Sequence, residues 1–253
     1  MKPLFMTSGV TKSFGGLSVL RGVDLFIQAG EILGLVGANG AGKSTFVDIV
    51  AGVQSANGGE IWLAEKPLIG TASRRAGRGL ARTFQHPQLA LDMSLRENIA
   101  VGRSCDLLAS RIQIAAAAAM GVIGRSSATD DPAIVEIASK LGLEGLDRAA
   151  QEVSFGELRL VEVARALMQS PKLLILDEPF SGVGDTGTAG IITALKSARD
   201  CGCAVLLIDH NVDLLAHAVD RIALLLQGTI AVEGGVAECM RNPVFRNTYI
   251  GLD

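Results

Sequence analysis

No excess of basic residues is present: 23 Lys and Arg against 26 Asp and Glu leave a formal charge of −3. A protein that holds nucleic acid or anionic lipid through its overall field needs the opposite balance, so nucleic acid is not an expected partner. Cysteine is scarce as well. Cys105, Cys201, Cys203 and Cys239 form no C-x-x-C pair and follow no secretory segment, which argues against a zinc site and a disulfide framework and for a reduced, cytosolic setting. The opening residues, Met1 to Met6, hold too short an apolar run for a signal peptide. The most hydrophobic later stretch, Ile112 to Ile123, falls well short of the ~20 residues that cross a bilayer. Neither a repeat nor a long low-complexity segment is visible. With 49% of the chain hydrophobic, the apolar content is left for buried parallel strands or a docking surface.

What is there centres on Gly37-Ala38-Asn39-Gly40-Ala41-Gly42-Lys43-Ser44-Thr45. The run lies between an apolar strand pattern, Glu31 to Val36, and a helical pattern, Ser44 to Ala51, that Gly52 is placed to stop. Glycines at 37, 40 and 42 allow the backbone to turn its N–H groups toward one point, a path that a Cβ obstructs. One helix terminus favours an anion by only ~0.3–1 kcal/mol, so a polyphosphate needs the ring of amides and a cation together. Lys43 supplies the cation, Ser44 a hydroxyl for Mg²⁺, and Thr45 reaches the α-phosphate side.

At 253 residues the chain can bury one sizeable core, with or without an inserted subdomain. Before the cradle and just after it, short strands are expected at Leu4 to Val10, Val23 to Ile27 and Glu60 to Leu63, the last opened by the turn Asn57-Gly58-Gly59. Arg74, Arg75, Arg78 and Arg82 read as a solvated face. From His86 to Glu152 the pattern turns helical. Its clearest helix has Asp131 as N-cap, Pro132 first, an apolar stripe of Ile134, Ile137, Ala138 and Leu141, and Gly142 as the stop. After Ser154 helices alternate with the apolar runs Leu173 to Leu176, Ala204 to Ile208 and Ile222 to Leu226, as in a parallel sheet covered on both faces. A hairpin at Gln227-Gly228 and a helical tail follow.

Two further places carry chemistry. The run Leu173 to Leu176 ends in Asp177-Glu178-Pro179, two acids at the carboxyl end of a buried strand, where α/β sheets place their ligands. Asp177 suits a Mg²⁺ ion and Glu178 the water that attacks a γ-phosphate. Val153-Ser154-Phe155-Gly156-Glu157 opens a helix and allows two readings. Ser154 and Glu157 complete a capping box; a serine hydroxyl and a glycine backbone at a helix start also bind phosphate.

In order along the chain, Phe14, Gly37 to Thr45, Gln85, Val153 to Glu157, Leu173 to Glu178 and His210 resemble the ATP-binding subunit of an ABC transporter over nearly the whole length. The resemblance implies an α/β P-loop NTPase with a RecA-like core and an antiparallel β subdomain (about residues 1–85 and 166–253) and an inserted helical subdomain (about 86–165). It implies ATP and Mg²⁺ as ligands. Phe14 would stack on adenine, Gln85 would watch the γ-phosphate and Mg²⁺, and His210 would hydrogen-bond the γ-phosphate. Lys43, Gln85, Glu178 and His210 would serve catalysis, with Ser44, Gln85 and Asp177 around the metal. Ser154 and Gly156 would act on the nucleotide of a second ABC ATPase subunit, related or identical.

Within the family, Lys12 to Leu17, Ala81 to His86, Ser154 to Glu157 and the tail from Asn242-Pro243 to Tyr249-Ile250-Gly251 are most similar to importer ATPases for branched-chain and other hydrophobic amino acids. That likeness implies transmembrane permease subunits, an extracytoplasmic binding protein, and a peripheral place on the cytoplasmic face of the membrane. Asp177 to Val183 and Asp209 to Val212 also resemble the ATPase of lipopolysaccharide export. A soluble, non-transport ABC ATPase is the other alternative, although heptads and tandem cassettes are missing. Ala38 replaces a common proline, and Gly184 stands where the family usually carries Asp or Asn.

Overall fold

The computed structural model describes residues 2–84, 86–108, 129 and 131–249. Gln85, the hydrophobic stretch Ile112 to Ile123 and the tail residues Ile250 and Gly251 lie outside them. Two sheets carry the chain. The first is antiparallel, in the order β2 (Leu17–Ile27), β1 (Phe5–Phe14), β4 (Gly58–Leu63), β5 (Lys66–Pro67). The second has the order β10 (Thr229–Gly235), β9 (Arg221–Leu226), β3 (Ile32–Val36), β8 (Ala204–Ile208), β7 (Leu173–Asp177), β6 (Leu80–Arg82). From β9 to β6 neighbours are parallel, and β10 returns antiparallel to β9.

Alternate residues of the central strands feed two separate cores, because successive side chains leave opposite faces. Leu33, Leu35, Leu173, Ile175, Leu206 and Ile208 pack with Phe5 and Leu20 of the first sheet and with Phe46 and Val47 of α1 (Lys43–Ala51). Ile32, Leu174, Leu176, Val205 and Leu207 face the helices instead. These are α3 (Leu95–Leu108), α4 (Pro132–Lys140), α5 (Phe155–Leu167), α6 (Asp185–Asp200), α7 (Val212–Ala218), α8 (Val236–Cys239) and α9 (Pro243–Tyr249). Each fully buried leucine, isoleucine or valine contributes roughly 1.5–3 kcal/mol. The sheet is thereby fixed from both sides, and its strand ends have little freedom to move.

Local chemistry sets the boundaries. Asp131 caps α4 by accepting the Ala133 N–H at 2.9 Å, and Gln227 and Gly228 turn the β9–β10 hairpin with φ of 48° and 82°, the geometry of a two-residue type I′ loop. The first two strands run further than expected. Gly9, at φ 58°, bends β1 where its register slips between Thr7 and Val10, and a Cβ on Gly59 would lie 2.4 Å from the Gly9 oxygen. The glycines let the strand pass through a bulge and run on to Phe14, beyond the expected end at Val10.

The arginine cluster needs a correction. Arg75, in α2 (Ala72–Ala76), is buried. Its guanidinium donates to the carbonyls of Ile49 and Val50, each at 2.7 Å, and to Gly70 at 3.0 Å. It thus satisfies the end of α1, whose last carbonyls have no partners within the helix.

Candidate nucleotide site

Register brings the site together. Leu35 of β3 and Asp177 of β7 both stand opposite Ile208 of β8, so three neighbouring parallel strands end level. The residues that follow them, Gly37, Glu178 and His210, leave one edge of the sheet, the ligand edge of open α/β folds.

The cradle requires its glycines at two positions above all. A Cβ on Gly37 would meet the Leu225 oxygen at 2.5 Å; at Gly42, where φ is 105°, it would meet Leu20 Cδ2 at 2.8 Å. Ala38, Asn39 and Gly40 are exposed, and the Ala41 N–H closes the turn on the Ala38 carbonyl at 3.1 Å. No side chain caps the start of α1, so its first amides remain available to an anion. Lys43 Nζ donates to the loop carbonyls of Gly37 at 2.6 Å and Ala38 at 3.2 Å. Burial holds its ammonium below the usual lysine pKa, and the Glu178 and Asp177 carboxylates pull it back up. Ser44 is exposed and Thr45 half-buried on the first turn.

Asp177 is buried, and burial raises its pKa above the ordinary carboxylate range, while Arg82 opposes the shift. Arg82 is a residue of this corner that sequence reasoning missed. Expected in solvent, it is a second correction: its guanidinium lies 2.6 Å from Asp48 Oδ1 on α1 and 3.5 Å from Asp177 Oδ2. The Asp177 N–H also donates to Thr83 Oγ1 at 3.3 Å. The periodicity of a three-residue strand was too short to reveal which way Arg82 faces.

Glu178 occupies the left-handed region at φ 50°, an uncommon backbone state for a glutamate. Its N–H donates to the Ile208 carbonyl at 2.8 Å. His210, 70% exposed, places Nδ1 3.7 Å from Glu178 Oε1 and 3.6 Å from Asp209 Oδ1. Asp209 is buried with Oδ1 accepting the Asn211 N–H at 2.9 Å, while Oδ2 has no hydrogen-bond partner. Burial raises its pKa. Glu178, Asp177, Lys43 and His210 are therefore gathered at one corner.

The other expected residues are not part of that corner. Phe14 ends β1, 48% exposed, with Lys12 Nζ 5.0 Å from its ring centre. The same hairpin meets the cradle through Val19 and Leu20, which surround Gly42. Ser154 caps α5 by accepting the Glu157 N–H at 3.2 Å, and Glu157 Oε2 accepts the Ser154 N–H at 3.0 Å. A Cβ on Gly156 would stand 2.6 Å from the Gly182 oxygen, and Phe155 beside it is 45% exposed. The capping box is real, and the helix start it makes is solvent-facing.

Among the described residues no helix is long and apolar enough to cross a membrane. Residues 20–181 match the family model described as ABC transporter. The high-affinity branched-chain amino acid transport ATP-binding protein LivG of Salmonella typhimurium is 32% identical over 99% of this chain and 98% of its own. A probable branched-chain amino acid transport ATP-binding protein LivG from Archaeoglobus fulgidus is 31% identical over 98% of this chain and 95% of its own. Among solved structures, the ADP conformation of an ATP-binding cassette of an ABC transporter superimposes with a TM-score of 0.81, at 27% identity and over 100% of both chains. On this agreement of cradle, strand edge and relatives, the chain belongs to the ABC transporter family.

Proposed function

We propose that this chain is the ATP-hydrolysing subunit of an importer for branched-chain or related hydrophobic amino acids, working with permease subunits, a second ATPase subunit and an extracytoplasmic binding protein. The observation that carries the ATPase part is the meeting of Lys43, Asp177, Glu178 and His210 at one sheet edge. The import part rests on relatives named for branched-chain amino acid transport along their full length.

The chemistry follows from the corner. The cradle amides and Lys43, released from its loop carbonyls, hold the β- and γ-phosphates. Glu178 takes the proton of the attacking water, and His210, in reach of the same carboxylate, orients it toward the γ-phosphate. Ser44, Gln85 and Asp177 would hold Mg²⁺, and a hydroxyl, an amide and a carboxylate suit an ion that takes its remaining ligands from phosphate and water. When bound, the ion neutralises charge developing on the phosphate oxygens. Phe14 stacks on the base. Ser154 and Gly156 complete the phosphate shell of the partner subunit's nucleotide, so that ATP closes two subunits and hydrolysis reopens them.

Residues 86–165 serve as the helical subdomain. Between it and the core lies a groove of about 270 Å³ that includes Val53, Phe84 and Val101 in its lining, all exposed apolar residues. A helix of the permease docks there and against His86 to Arg96. Cysteines placed along His86 to Arg96 should crosslink to the permease in the assembled complex; uniform failure would remove that segment from the interface. Purification of the complex, with hydrolysis stimulated by a binding protein loaded with leucine-like amino acids, tests the substrate assignment.

A further inference from the structure

Among the described residues, the most deeply buried ion pair has no part in the chemistry just described. Arg159 and Glu162 lie one turn apart on α5, 3.0 Å from each other and each 1% exposed. Removing two charges from water is costly, and an apolar pair of like volume often stabilises a fold as well. Both charges converge on one backbone residue. Glu162 Oε1 accepts the Phe84 N–H at 3.0 Å, and Arg159 Nη1 donates to the Phe84 carbonyl. The pair therefore grips both polar groups of a residue that belongs to neither helix nor strand.

What the grip joins is the point. Two residues before Phe84, Arg82 binds Asp48 and Asp177 in the phosphate corner, and its guanidinium also stands 5.2 Å from the Phe84 ring centre. Thr83 is bound between Ile175 and Asp177. At the other end, α5 begins with Ser154 and Gly156. Arg82 to Phe84 is thus a short brace, hydrogen-bonded at one end to the acidic strand edge and at the other to the helix whose start faces solvent. Gln85 is the next residue in the chain.

We infer that Arg159 and Glu162 are positioning residues that fasten the threshold of Gln85 to α5, so that the helix start offered to a second subunit and the approach to this chain's own γ-phosphate move as one body. The inference rests on the ATPase proposed above. It assigns to this pair a role in turnover without a role in nucleotide affinity, because the contacts described for it lie on Phe84 and within α5.

The test is a double-mutant cycle on the full chain. The apolar replacement Arg159→Met/Glu162→Leu removes both charges together and leaves none unpaired. It is expected to stay folded with a lowered Tm, because the Phe84 N–H and carbonyl lose their partners, to keep the parental nucleotide Kd, and to lose at least about tenfold in kcat, since an ångström of misplacement can cost about a hundredfold. Combined with Gln85→Ala, the loss should be no greater than that of the stronger variant alone. Losses that multiply, or a parental kcat in the apolar variant, would overturn the inference, because a structural pair has no reason to couple to Gln85. Should the apolar variant fail to fold, Glu162→Ala, which takes the acceptor from the Phe84 N–H, must show the same non-multiplying loss, and Glu162→Gln, which keeps a carbonyl there, must restore kcat. Lys43→Ala and Glu178→Gln judge the underlying ATPase separately: if both are inactive while the cycle multiplies, the clamp alone is wrong.

Discussion

The sheet edge that gathers Lys43, Asp177, Glu178 and His210 and the helix start that presents Ser154 and Gly156 are built in opposite ways. At the edge, strand register sets the positions: Leu35 and Asp177 share Ile208 as neighbour, buried residues lock the strands on both faces, and charged groups sense each other. At the helix start, the serine's bonds run to Glu157 and the surroundings are solvent. Under the proposed function, one place is a site in its own right and the other a surface that becomes a site only against another molecule. Variants of the edge should therefore act on the isolated chain, and variants of the helix start should act on the assembly.

The largest effect expected belongs to Glu178→Gln. Loss of the general base should cut turnover by roughly 10²–10⁴-fold while ATP still binds, and the ATP-bound dimer or holo-complex should become more stable. Single-turnover kinetics beside equilibrium binding checks both. Lys43→Ala should instead weaken nucleotide binding by about 1.5–3 kcal/mol, the usual worth of a hydrogen bond to a charged group, measurable by titration calorimetry. If it changed kcat alone, the cradle would not be the binding element.

A control sits within the same region. Arg75 supports the far end of the cradle helix, so Arg75→Met should lower stability by roughly 1–3 kcal/mol through unsatisfied carbonyls, seen in denaturant melts, and leave nucleotide Kd unchanged. Phe14→Ala should have the smallest effect, about 1 kcal/mol or somewhat more of ATP affinity, because an exposed ring contributes only stacking. Equal losses for a nucleotide and for bare triphosphate would argue against adenine as its partner.

The contrast between the regions also explains what could be read from sequence. Glycine-rich cradles and apolar runs ending in acids are local patterns, and both lie in β3, α1 and β7 as their spacing implies. The buried Arg75 and the half-buried Arg82 are different. Arg75 reaches carbonyls of Ile49 and Val50, and Arg82 reaches Asp48 and Asp177; these partners are distant in sequence, so a cluster of like charges gave no sign of burial. Arg159 and Glu162 carried a helical spacing that equally suits a solvated pair. Their shared target, Phe84, becomes visible only once α5 is packed beside the end of β6. β1 runs past its expected end at Val10 to Phe14 because register shifts at Val10/Thr11 and Lys12/Ser13 carry the strand on where simple alternation lapses.

The central claim is that phosphate is gripped from two chains, and Ser154→Asp addresses it most directly. Aspartate caps a helix as well as serine does, so fold and nucleotide Kd of the isolated chain should persist, while a carboxylate set against the partner's phosphates should lower turnover of the assembled complex by more than about tenfold. Parental turnover in that complex would contradict a shared site.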